Sequence, residues 1–403
     1  MKTSHNFVGS GKKSSPDLLD FGLQPVSNRF LSGTETAPSF PLALEVEAES
    51  GLIRLAKPFP AEELRPRYPW LTCFEPEDHL DKLVQQMAEL PGITKESKIG
   101  AYSFKDDSTL RRLERKGYSK TWRLDPASDL GISDPLANVE TFQKQFTPDR
   151  AQAVKEKRGP CDIFIVRHVL EHSYDLEGFL EACRRVLRPR GYVVFEVPDC
   201  ERAIDLGDFT TVWEEHIYYF TPQTFRSTLE KAGFGIHHSE SVEYPFENSL
   251  VAIVREDGHP TRTSDSALIM NEVATFRAFI NKYPMRRDRV RAILSRAKEK
   301  IGSLAMFGAG HLSVAYLSLM GVADLIDFVV DDNPHKKGMR MPVGNLPILG
   351  SQAIYEQKIR LCLLSLNPQN QPKVVANHSK FQAEGGRFAS IFPGSPLDLE
   401  EVL

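Results

Sequence analysis

Residues 161–199 read CDIFIVRHVLEHSYDLEGFLEACRRVLRPRGYVVFEVPD, and residues 207–221 follow as GDFTTVWEEHIYYFT. IFIV is a short apolar run of the kind that forms a strand buried on both faces. RHVLEH is a polar loop, FLEACRRVL repeats its apolar residues at helical spacing, RPRG is a turn, and YVVFEV is a second buried strand. Strand, helix and strand in that succession predict one unit of a parallel α/β sheet, and the loops at the carboxyl ends of such strands form a ligand crevice. The two histidine-bearing segments, RHVLEH and WEEHIYYF, therefore fall where chemistry is expected.

Composition sets the class. A chain of 403 residues with 41% hydrophobic content is long enough for roughly two to four domains with their own cores. Lys+Arg 50 against Asp+Glu 54 leaves a net charge of −4, so no global basic field exists to hold nucleic acid or an anionic membrane. No apolar run approaches the roughly 20 residues that span a bilayer. The first residues, MKTSHNFVGSGKKSSPD, lack the apolar stretch of a secretory signal, and a cytoplasmic protein is expected. Cys73, Cys161, Cys183, Cys200 and Cys362 are scattered without a CxxC pair, which argues against a disulfide framework and against a zinc site of the usual spacing.

The stretch IVRHVLEHSYDLEGFLEACRRVLRPRGYVVFEVPD resembles the fourth and fifth strand region of class I methyltransferases that use S-adenosylmethionine. EEHIYYF resembles the EHxxYF signature of the sugar C-methyltransferases, which act on nucleotide-linked 4-keto deoxysugars. The similarity extends from about Leu18 to about Pro396. It implies an α/β protein in three parts: a small N-terminal module over 1–72, a methyltransferase domain with a Rossmann-like sheet over 73–255, and a second Rossmann-like domain over 256–403 that holds substrate. In the family the N-terminal module closes a zinc site with two CxxC pairs, because so small a unit cannot fold on apolar burial alone. DFGLQPVSNRFL (20–31) and SGLIRLAKPFPAEELRPRYPWL (50–71) resemble the stretches after those pairs. Here the second pair would fall at Glu47 and Ser50, and no cysteine precedes Cys73. No zinc is expected, and the module is expected to lean on the methyltransferase domain.

His79, Leu80, Leu83, Val84, Met87 and Leu90 recur at helical spacing and predict a helix that leads into a first strand at about 97–102. In the family the next loop wraps the methionine and ribose of the cofactor, with glycines that let the backbone approach. Where the family reads IGSNDG this chain reads IGAYSFKDD, which keeps Gly100 alone. WRLDP sets Asp125 at the end of the second strand, where a carboxylate can accept from both ribose hydroxyls. The resemblance adds Arg167, His168 and Leu170 to the cofactor side and turns His172 toward the sugar, while Glu171 is expected at a cap or in solvent.

Methylating a sugar carbon beside a ketone requires removal of a proton, and an imidazole titrates in the range that suits this step. His216 is the expected base. Glu215 is expected to orient it or bind a sugar hydroxyl, Tyr219 to donate to the developing oxyanion, and Phe220 to lie in the core. Trp213 stands where the family has a tyrosine. It can stack on substrate and donate one hydrogen bond but cannot act as an acid or base, so transfer to an oxygen or nitrogen of a related sugar stays open. The altered glycine loop also keeps open a non-catalytic protein that binds a nucleotide-sugar.

The region near 256–265 reads as a polar linker, and NEVATFRAFINKY and DRVRAILSRAKEK as two helices. SLAMFGAGH, DLIDFVVDDN and LCLLSLNP supply three buried strands of a second Rossmann-like sheet. By resemblance Gly308, Gly310 and His311 approach a phosphate of the substrate, with Asp331 and Asn333 in the same crevice. Alternatively the two glycines only permit a tight strand-to-helix turn. FGAGH lacks the third glycine of a dinucleotide fingerprint, which argues against a nicotinamide dehydrogenase.

Overall fold

The computed structural model describes residues 17–69, 75–256 and 265–402. Cys73 and most of the polar linker lie outside them. Strands β1 (Leu18–Pro25), β2 (Ser39–Val46) and β3 (Ile53–Leu55) pair antiparallel. Strand β2 buries Leu42, Leu44 and Val46, every second residue, as a sheet with one covered face requires.

The central sheet contains β4 (Ile99–Ala101), β5 (Thr121–Arg123), β6 (Cys161–Arg167) and β7 (Leu187–Asp199). After the two-residue β8 (Tyr218–Tyr219), it is completed by β9 (Phe234–Val242) and β10 (Asn248–Glu256). Its order is β5-β4-β6-β7-β10-β9, with β10 antiparallel to both neighbours. Both faces are covered. Phe164 and Val166 of β6 join a core with Val154, Phe179 and Leu180, while Ile163 and Ile165 join another with Leu83, Leu110 and Leu113. Helices start where capping residues satisfy their first N–H groups: Thr147, Asp175 and Thr221 accept from the backbone of Arg150, Gly178 and Thr224.

A helix over Ser266–Ile301 leads to the last sheet, β11 (Leu304–Phe307), β12 (Phe328–Val330), β13 (Ile348–Leu349), β14 (Leu361–Leu364) and β15 (Arg387–Ser390). It is parallel throughout in the order β13-β12-β11-β14-β15. The two expected helices are one, which runs through Pro284. A proline inside a helix costs about 3 kcal/mol. Phe276 and Phe279 before it and Val290 and Leu294 after it enter the same core, and that burial offsets the loss.

The N-terminal sheet leans on the methyltransferase part, as expected, through Ile204, Phe209 and Val212, and it leans on the C-terminal part as well. Leu19, Phe21, Leu42 and Leu44 share one core with Phe276, Phe279, Leu304 and Met306 of the C-terminal part. Strand β8 adds a backbone tie to the methyltransferase part, where Tyr219 pairs with Ile53 and Tyr218 with Arg54, giving the order β1-β2-β3-β8. Among the described residues, no helix is long and apolar enough to cross a membrane.

Candidate active site

The chain leaves β4 toward β5 on one side and toward β6 on the other, and it leaves β11 toward β12 and β14 in the same way. Such switch points open crevices at the carboxyl ends of the strands. Both crevices open on one cleft of about 710 Å³. Phe104 and Lys105 line it after β4, His168 and Glu171 after β6, Pro198 at the end of β7, and Glu247 and Asn248 where β10 begins. The C-terminal part contributes His311 and Leu312 after β11 and Asn367, Gln369 and Asn370 after β14. Trp213, Glu215 and His216 form another wall, and Asn28 and Tyr68 come from the N-terminal part.

Beneath the cleft lies a network of buried charges. The fully buried Arg167 donates to Glu196 from Nε at 2.5 Å and to the Lys105 carbonyl from Nη1 at 2.7 Å. His168, whose φ of 50° turns it back over the sheet, approaches the same carboxylate at 3.1 Å, and His79 approaches it at 3.2 Å. Burial acts to raise the Glu196 carboxyl, but Arg167 and His168 hold it well below the usual carboxylate range. Burial likewise opposes charge on His168, yet Glu75 and Glu196 push it up to about 10, so it is a cation at neutral pH. Asp106 stitches the loop after β4: its carboxylate accepts from Tyr102 N at 3.0 Å, Ser103 N at 2.8 Å and Arg167 N at 3.0 Å.

Above this floor His172 is buried with Nδ1 2.7 Å from the Glu215 carbonyl, which sets Nδ1–H as the donor. Its ring meets that of His216 edge-on at 4.9 Å, and donor atoms of Glu171, His172 and His216 lie within 4.8 Å of one another. Burial pushes His172 down to about 3, and burial with the neighbouring His172 holds His216 well below the histidine range. Both imidazoles are neutral. Among the described residues, no protein group is hydrogen-bonded to the half-buried His216 ring. Trp213 packs against it at 4.9 Å and stacks on His311 at 4.4 Å and 20°, joining the central sheet's wall to the C-terminal one.

Several expected site residues have other duties. Gly100 does not line the cleft; a Cβ there would meet Trp122 at 2.7 Å and the Cys161 sulfur at 2.9 Å, so the glycine is required by packing between strands. Asp125 is exposed and caps the helix Pro126–Leu130 by accepting from Ser128 N. Leu170 is core, and Arg167 belongs to the floor. Tyr219 is buried with its hydroxyl on Trp213 N at 3.0 Å and Trp213 O at 2.9 Å, so it fixes the turn that carries Trp213, and it does not line the cleft. Glu215 accepts from Asn28 Nδ2 at 3.3 Å and steadies His172 through its carbonyl.

In the C-terminal loop Asp331 accepts from Ala309 N and Lys336 Nζ, each at 3.0 Å, and Asn333 accepts from His335 N; neither lines the cleft. Gly308, at φ 103°, makes the tight turn, and Gly310 precedes the helix His311–Leu319. Glu171, expected at a cap or in solvent, is 1% exposed in the cleft wall. Phe220 lies in the core.

The residues that the sequence reading missed are Glu75, His79, Lys105, Glu196 and Glu247. Glu196 left one signal, a carboxylate inside the apolar run YVVFEV. The others gather only through the fold.

Residues 61–239 match the methyltransferase domain family, and residues 259–393 match the C-methyltransferase C-terminal domain family. The chain is 23% identical over 392 residues to the C-methyltransferase NovU of Streptomyces niveus, covering 94% of this chain and 93% of that protein. Among solved structures, the Burkholderia thailandensis 1,6-didemethyltoxoflavin-N1-methyltransferase matches at 12% identity and a TM-score of 0.30, over 44% of this chain and 77% of that one. A methyltransferase solved with the Trm112 activator of Haloferax volcanii matches at 14% and 0.32, over 45% and 91%. Likeness at that level says nothing about activity. The paired domain matches and the full-length similarity to NovU agree with the sheet order and the shared cleft, and they support a methyltransferase that depends on S-adenosylmethionine and is similar to the C-methyltransferases.

Proposed function

We propose that this enzyme methylates a carbon next to a ketone on a nucleotide-linked sugar, with His216 as the base that removes the proton. The single observation that carries the reading is the His216 imidazole: neutral, set in the cleft wall, and free of any protein hydrogen bond among the described residues. A neutral imidazole in that position has a lone pair ready for a C–H proton.

The cleft also suits the cofactor. Glu75, Glu171 and Glu215 line it against the cations Lys105 and His168, a balance that favours a sulfonium. Glu171 Oε2 and Trp213 Nε1 are buried on its walls without a hydrogen-bond partner among the described residues, as polar groups that await a ligand are. Phe104, Lys105, Ala137, Asn138 and His168, at the central switch point, are the residues placed to hold it. When bound, the cofactor supplies an electrophilic methyl group.

On the opposite side, the first turn of His311–Leu319 and the amides of Asn367, Gln369 and Asn370 suit the phosphates of a nucleotide-sugar. The work of the chain is then to hold the ketone so that its α-proton faces His216. His172 and Trp213 fix the imidazole plane, and Glu215 fixes His172.

His216→Ala is expected to lower turnover by about 10²–10⁴-fold while calorimetry finds the affinity for S-adenosylhomocysteine unchanged. Full activity in that variant excludes His216 as the base. Absence of S-adenosylhomocysteine binding to the wild-type chain removes the cofactor from this cleft.

A further inference from the structure

The geometry points to Glu247 as the group that donates a hydrogen bond to the ketone oxygen as the enolate forms, a role that Tyr219 cannot fill. The assignment rests on the C-methylation reading above.

Tyr219, the sequence's choice for this task, has its hydroxyl on the backbone of Trp213. The nearby imidazoles are poor substitutes: His216 is the base, and His172 spends its Nδ1–H on Glu215. Glu247 lines the same cleft, on the turn between β9 and β10. Asn248 pairs with Asp199 of β7 and accepts from Tyr244 N at 3.1 Å, so the turn that presents Glu247 is pinned on both sides. Among the described residues, no hydrogen bond or ion pair holds its carboxyl.

The charges around Glu247 come from several elements. Glu75, Glu171 and Asp208 oppose its ionisation, and the cation His168 favours it; the phenol of Tyr219 and the thiol of Cys200 are also within its field. Burial and the carboxylates prevail, and the Glu247 carboxyl is raised to about 8. A carboxylic acid kept neutral near pH 7 is a donor, as an acid in an apolar oxyanion hole is.

The step balances within substrate and protein. The α-proton moves to a nitrogen of His216, the C–H electron pair becomes the new C=C bond, and the carbonyl π pair moves on to oxygen. Glu247 keeps its proton and shares it with that oxygen. Its ionised form cannot do so, and it repels the enolate.

The test is the pH profile of kcat for wild type, Glu247→Gln and Glu247→Ala, with a nucleotide-linked 4-keto deoxysugar as probe. It is read beside exchange of the sugar's α-proton into D₂O without methyl donor. Wild type is expected to lose kcat as pH rises through about 8. The amide of Glu247→Gln still donates, so that variant keeps turnover within about tenfold and loses the alkaline limb. Glu247→Ala is expected to lose about 10²–10³ in kcat and in exchange rate, with little change in KM. Wild-type kcat in Glu247→Ala, or an alkaline limb that persists in Glu247→Gln, overturns the assignment. If wild type itself neither exchanges nor methylates the probe, the C-methylation reading falls first and Glu247 with it.

Discussion

A methyl group on Gly100 would press on Trp122, Cys161 and Phe164 inside the central sheet. Gly100→Ala is therefore expected to destabilise the protein by about 1–3 kcal/mol through overpacking, read from denaturant unfolding, with affinity for S-adenosylhomocysteine preserved. Lost affinity at unchanged stability would return Gly100 to the cofactor. Glu196 meets Arg167, His168 and His79 at once, so Glu196→Gln leaves buried cations uncompensated and is expected to cost about 3–5 kcal/mol. His168 adds a pH signature. Its folded value of about 10 lies above its ordinary 6.5, so its contribution to stability is complete below pH 6.5 and disappears as pH rises toward 10. The Tm should decline over that window, and His168→Gln should lower it near neutrality but flatten the decline. Equal slopes in the two proteins would show that this imidazole is not charged.

At the scale of elements, the helix Ser266–Ile301 and the short strand β8 carry the consequences. Pro284 breaks the hydrogen-bond ladder of a helix whose two halves are anchored in one core. Pro284→Ala is expected to raise stability by about 1–3 kcal/mol, measured as a shift in the unfolding midpoint. A fall instead would mean that the halves need the interruption to reach their places in the core. Strand β8 connects β3 to the turn that carries Trp213, Glu215 and His216. The N-terminal sheet thus supports that wall of the cleft through backbone pairing, and its apolar side is covered by a core drawn from both the methyltransferase and the C-terminal parts. That arrangement gives the small module a core without thiolate ligands of its own.

Across the whole molecule, the carboxyl ends of the parallel strands of two sheets face one cleft, so a ligand that spans it contacts both. At about 100 times its Kd such a ligand stabilises the folded state by about 2.7 kcal/mol. Hydrogen exchange should then slow together around His216, His311 and Asn370; protection confined to the central sheet would show that the cleft is not shared. The sequence by itself determined the buried parallel strands and their helices, because strands buried on both faces and capped helices are written in short-range pattern, as IFIV, YVVFEV and FLEACRRVL show. It also brought His216 forward, since a local motif carries its own spacing. It could not show that Gly100 sits between packed strands, that Asp125 caps a helix or that Tyr219 pins a turn, because such placements depend on neighbours distant in the chain. Only the tertiary structure brought Glu75, Glu196 and Glu247 to the histidines. Their charges act through space at a few ångströms, and folding sets those distances where sequence order does not.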